Sequence, residues 1–135
     1  MAFMQWNESY SVGVKAIDVQ HQNLFNMVND LHAAMMRQEG KTAAGALLAK
    51  LAKYTQEHFA AEEKMMEAAK YPKLAQHRAL HHELTKQVQE FMARHQRGES
   101  GLSIRLLQFL GDWLTKHIQQ EDKAYSACLN QSGVH

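Results

Sequence analysis

One cysteine, one proline and no long apolar run are what this 135-residue chain has little of. A lone Cys128 excludes an internal disulfide framework and any zinc cluster built on several thiolates, and it fits a reducing compartment. No uncharged apolar stretch approaches the roughly 18 residues that span a bilayer. The opening MAFMQWNESYSV is itself interrupted by Gln5, Asn7 and Glu8, so no membrane insertion is expected. An excess of either charge is missing too. The 15 Lys plus Arg against 14 Asp plus Glu give +1 at pH 7, which carries no electrostatic footprint for nucleic acid or an anionic lipid surface. The expected setting is cytoplasmic. A glycine-rich phosphate loop, a GxSxG elbow and the HExxH helix of zinc proteases are absent, which removes the usual hydrolase and nucleotide readings.

What is present is an apolar fraction of 45%, enough to bury one core, and nine histidines. The few breakers, Gly40, Pro72, Gly98 and Gly101, separate four segments joined by short links. In each segment apolar residues recur at steps of three and four, the signature of an amphipathic helix. The first stripe is Ile17, His21, Leu24, Val28, Leu31 and Met35, with Asp18 as a candidate N-cap. The second is Leu48, Leu51, Thr55, His58, Glu62, Met65 and Ala69. The third is Leu74, His77, His81, Leu84, Val88 and Phe91, and the fourth is Leu107, Leu110, Leu114 and His117. The expected fold is all-α, an antiparallel up-down-up-down four-helix bundle with an N-terminal arm. A single domain covers 1–135, with the arm at 1–16, the bundle at 17–128 and a tail at 129–135.

Antiparallel helices put the start of the first, the end of the second, the start of the third and the end of the fourth at one end of the bundle. His21, His58, Glu62, His77, His81 and His117 all fall at that level. His58 with Glu62, and His77 with His81, stand four residues apart, so each pair shares a helix face. Five imidazoles and two carboxylates exceed the four ligands of a structural zinc site, and two metals account for them better. If both ions are six-coordinate, about twelve positions need filling, and the ligands with one bridging oxygen leave about one open for a small molecule. No glutamate has a histidine three residues later, so the Glu-x-x-His pairs of carboxylate-rich di-iron bundles are missing. HIQQED, residues 117–122, leaves the second carboxylate open: Glu121 lies about 40° from His117 around an ideal helix and Asp122 about 140°. Periodicity alone selects Glu121.

IDVQHQNLF with His21, HFAAEE with His58 and Glu62, QHRALH with His77 and His81, and HIQQED with His117 and Asp122 resemble the hemerythrin family, in particular its single-domain bacterial members. The resemblance runs from Trp6 into the fourth helix. It implies a dioxygen-binding protein with two non-haem irons joined by an oxo or hydroxo bridge. It further implies His77, His81 and His117 on one iron, His21 and His58 on the other, and Glu62 and Asp122 as bridges. Choosing Asp122 against the helical spacing predicts a local distortion, a widened turn, between His117 and Asp122.

A carrier also needs a dry pocket, because water and protons reaching bound oxygen promote its loss. Leu24, Phe59, Trp113, Leu114 and Ile118 sit within one turn of the ligands and are its candidates, though apolar residues at this spacing are also ordinary core. His32, His82, His95 and His135 fall outside the motifs and read as solvated, with His95 able to be buried at the far end. The length leaves no room for a fused output module, which favours oxygen storage or transport to an oxygen-consuming enzyme over sensing. The competing reading is a di-iron enzyme reducing peroxide or nitric oxide, for which Glu63, beside Glu62, is the one candidate proton donor. With the apolar stripes used inside one bundle, a monomer is expected.

Overall fold

The apolar stripes fold as helices in the computed structural model, which describes residues 3–135. Helix α1 spans Lys15–Met36, α2 Gly40–Ala68 and α3 Leu74–Gln96. The fourth rod is α4, Leu102–Lys116, followed without a break by a π-helical turn, His117–Asp122, and by α5, Lys123–Gln131. No strand occurs among the described residues. Three- and five-residue links force sequence neighbours to run antiparallel. Contacts of α1 with α2, α2 with α3, α3 with α4 and α4 with α1 close the bundle. The expected all-α four-helix bundle is thus what the chain adopts.

The stripes supply the core. Ile17, Leu24, Val28 and Leu31 of α1, Leu48 and Leu51 of α2, Leu84 and Val88 of α3, and Leu106, Leu110 and Leu114 of α4 are all at most 3% exposed. Fully burying one such side chain stabilises by about 1.5–3 kcal/mol. One stripe drifts from the expected register: past Glu62 it is Met66, not Met65, that is fully buried. A 3.6-residue period over a helix this long does not keep one strict choice of three or four.

The first link turns at Gln38, whose φ is +60°, and not at Gly40, which opens α2. The site at Gly40 is nonetheless crowded: a Cβ would stand 2.9 Å from Met35 Cγ and 3.1 Å from Ser103 Oγ, so those side chains would have to shift to admit one. Asp18 is not the N-cap of α1. The helix starts earlier, from Val14, and the Asp18 carboxylate reaches back to accept from Ser11 Oγ at 2.6 Å and the Val12 amide at 2.8 Å. These bonds fasten the arm. Asn29 does the same higher up, exchanging hydrogen bonds with the backbone of Met4 at 2.7 and 2.8 Å. Trp6 and Tyr10 of the arm then pack on Phe25. The helical part runs past residue 128 to Gln131, because wholly buried Leu129 extends the core by another turn.

Candidate metal centre

Seven polar side chains meet inside one end of this bundle: His21 from α1, His58 and Glu62 from α2, His77 and His81 from α3, and His117 and Asp122 from the π turn. None is more than 4% exposed. Burial of so many imidazoles and carboxylates is costly unless each finds a partner. The π turn brings Asp122 in. Its wider i to i+5 winding carries the residue five places after His117 back to the same side, which leaves Glu121 exposed to solvent.

Asp122 presents one oxygen to each side of the cluster. Oδ1 lies 2.9 Å from both His77 Nε2 and His117 Nε2, while Oδ2 lies 3.2 Å from His21 Nε2. Glu62 spans it likewise, with Oε1 3.3 Å from His58 Nε2 and from His81 Nε2 and Oε2 3.4 Å from His21 Nε2. These atoms are close without being hydrogen-bonded. Nε2 of His21, His77, His81 and His117, Glu62 Oε1 and Asp122 Oδ1 are all buried and unpartnered, and so is His21 Nδ1. Buried polar atoms are almost always satisfied, so lone pairs left converging in this way fit a cation between them. The ligand atoms divide into two groups, His77, His81, His117 and Asp122, and His21, His58 and Glu62, each within 4.8 Å of one another. The set can hold two metal ions. Imidazole and carboxylate donors together suit iron among other first-row metals.

Partners behind the imidazoles fix their tautomers. His58 Nδ1 donates to Gln20 Oε1 at 2.5 Å, and His81 Nδ1 donates to Glu63 Oε2 at 2.8 Å, so that Nε2 of each ring keeps its lone pair for the interior. The buried Tyr125 hydroxyl donates to Glu62 Oε2. Sequence spacing missed Gln20 and Tyr125, although each lies within a turn of a ligand. Glu63 proves not to be a free buried acid. One turn position away from Glu62 it points outward, its second oxygen accepts from Arg78 Nε at 3.1 Å, and both oxygens are engaged.

Without metal the cluster polarises itself. Burial lowers the His21 pKa, but the carboxylates of Asp122 and Glu62 outweigh it and raise the group from 6.5 to about 9. His81 is raised for the same reasons, against its own burial. Burial raises Glu62 and Asp122, yet the surrounding imidazoles hold both well below the usual carboxylate range. Tyr125 is pushed well above its ordinary value by burial and by the charges of Glu62 and Asp122, so its hydroxyl keeps its proton.

The pocket candidates surround this cluster unevenly. Phe59 stacks on the His81 ring at 3.8 Å and Trp113 on the His117 ring at 4.2 Å. Leu24, Phe59, Leu114 and Ile118 are buried, whereas Trp113 is half-exposed. Of the other histidines, His82 and His135 are exposed, while His32 and His95 are half-buried, His32 against Phe3. His95 lies so close to α2 that a Cβ on Gly45 would come within 2.5 Å of its Nε2.

Known proteins match this arrangement. The family described as Hemerythrin HHE cation binding domain covers residues 12–129. The chain belongs to the hemerythrin family. It is 38% identical to a bacteriohemerythrin of Stenotrophomonas maltophilia (strain R551-3), over 97% of this chain and 87% of that protein. A bacteriohemerythrin of Methylococcus capsulatus is 32% identical over 96% of this chain and 99% of that one. A crystal structure of wild-type hemerythrin superposes with a TM-score of 0.85 at 32% identity, covering 95% of this chain and 98% of that one. Membership in the hemerythrin family agrees with the motifs from which it was expected, and no described helix is long and apolar enough to cross a membrane.

Proposed function

We propose that this hemerythrin binds dioxygen reversibly at a non-haem di-iron centre. The observation that carries the reading is the convergence of five imidazoles and two carboxylates, buried and largely unpartnered, in two adjacent groups that the oxygens of Glu62 and Asp122 both span. His77, His81 and His117 would hold one iron and His21 and His58 the other, with Glu62 and Asp122 bridging. When bound, a ferrous pair supplies the two electrons that dioxygen takes up on binding and returns on release.

The chain's own residues do the rest. Gln20 and Glu63 hold the His58 and His81 rings with Nε2 inward, and Tyr125 holds Glu62 in its bridging orientation. Leu24, Phe59, Leu114 and Ile118, with Trp113 at the edge, exclude the water and protons that would turn reversible binding into irreversible oxidation. With three histidines for one iron and two for the other, the His21 and His58 side would be the one with room for a small ligand. Glu63 is tied to His81 and Arg78, which removes the one proton donor that favoured an enzyme. The role proposed is a cytoplasmic, monomeric oxygen carrier or store that serves an oxygen-consuming enzyme.

Metal analysis joined to optical spectra through repeated oxygenation and deoxygenation tests the reading. Two irons per chain and a spectrum that returns on each cycle are expected. Irreversible oxidation in the first cycle, or turnover of added peroxide or nitric oxide, would replace it with the enzyme.

A further inference from the structure

The two sides of the cluster are supported by partners of different charge. Behind His58 stands the neutral amide of Gln20, whereas behind His81 stands the carboxylate of Glu63, itself held by Arg78. The connection crosses from α2 to α3: Glu63 Oε2 to His81 Nδ1 at 2.8 Å, Glu63 Oε1 to Arg78 Nε at 3.1 Å, and Arg78 Nη2 onward to Glu67 Oε2 at 3.2 Å. It is graded in exposure. The His81 side chain is 3% exposed, Glu63 23%, Arg78 46% and Glu67 69%. Glu63, Arg78 and His81 also line an open groove of about 440 Å³ between α2 and α3, floored by Phe59, so solvent reaches the outer members but not the ring.

An imidazole whose N–H donates to an anion carries more negative charge than one donating to an amide, and so is the stronger donor at its opposite nitrogen. A stronger donor favours the more highly charged ion. A guanidinium on the same carboxylate draws that charge back and weakens the effect.

Resting on the di-iron reading, we propose that the Arg78–Glu63–His81 relay sets the reduction potential of the three-histidine side of the centre, with Glu63 lowering it and Arg78 restraining Glu63. Glu63 is a positioning residue with an electronic role. It touches neither iron nor oxygen. Each step concerned is one ferric ion gaining one electron from an added mediator dye, with no bond to the protein made or broken.

The test is an equilibrium redox titration of the iron-loaded full chain, followed optically, on wild type, Glu63→Gln, Arg78→Gln, Arg78→Lys and the double variant Glu63→Gln/Arg78→Gln. Glu63→Gln keeps the hydrogen bond and removes the charge. At a fixed applied potential its ferric to ferrous ratio should fall by about tenfold, taking as the scale the lower end of what such supporting partners contribute to metal affinity, or about 59 mV for one electron. Arg78→Gln should raise the ratio by a few-fold, Arg78→Lys should stay near wild type, and Arg78→Gln should lose its effect once Glu63 is neutral. Opposite signs and that loss of effect distinguish the relay from a structural role, which would move both single variants the same way. Shifts of equal sign, no shift, or simple additivity in the double variant would overturn the proposal. Should Glu63→Gln lose iron, half-exposed Arg78 decides alone: a raised ratio supports the relay and an unchanged one rejects it. Wild type that fails to bind two irons or to oxygenate reversibly would instead reject the functional reading itself.

Discussion

Asp122 and Glu121 are neighbours with opposite fates, one 1% exposed among the imidazoles and the other facing solvent. Asp122→Ala should therefore remove most of the bound iron, and Glu121→Ala should leave two irons per chain. Counting iron in both variants decides between them, and equal losses would contradict the assignment. His21 supplies a pH dependence. Its pKa in the folded metal-free protein is about 9 against 6.5 ordinarily, so it contributes stability that is complete below pH 6.5 and lost as pH rises through 9. A metal entering the site must displace that proton. Apparent ferrous affinity should accordingly rise about tenfold per pH unit for each proton released, and level off near pH 9; a flat profile from pH 6.5 to 9 would exclude His21 as a ligand. Leu114, 3% exposed and three residues before His117 where the π turn begins, tests the dry lining. Leu114→Asp should shorten the lifetime of the oxygenated form at least severalfold, read from the decay of its visible spectrum, and an unchanged lifetime would remove Leu114 from the pocket.

The π turn is the element in which helical spacing and family pattern disagree. A straight α-helix would turn Asp122 about 140° away from His117, and the π winding cancels that by absorbing one extra residue. Deleting exposed Gln120 should relax the turn to α-helix and leave the present Asp122 four residues after His117, about 40° around. Such a variant should still bind two irons, and near-complete loss of iron would show that the site needs the π backbone itself. The helices and their depth were legible in the sequence, since both follow from period and link length. The distortion was legible only through the HIQQED resemblance, because no periodic rule encodes an interrupted period. Asp18 was misread for a related reason. A carboxylate near a helix start suits an N-cap, and whether it caps its own helix or ties down the arm depends on where Ser11 and Val12 fold back.

Seven polar side chains buried at one end of the bundle, most with unpartnered atoms, make the whole molecule's stability depend on its metal. Each unsatisfied buried group costs about 1–3 kcal/mol, and a ligand that binds only the folded state adds stability by mass action. Chelation should lower the thermal midpoint by upward of about 10 °C, with refilling by ferrous iron restoring it; equal midpoints would mean that the metal-free cluster satisfies itself. The sequence by itself determined four helices, their antiparallel order and the single level at which His21, His58, Glu62, His77, His81 and His117 meet. Those depend only on local period and on links too short for any other topology. Only the tertiary structure decided that Gln20 backs His58, that Tyr125 reaches Glu62 and that Glu63 is shared by His81 and Arg78. Each of these joins residues far apart in sequence on different helices, and the rotation of one helix against its neighbour is set by packing of the whole core.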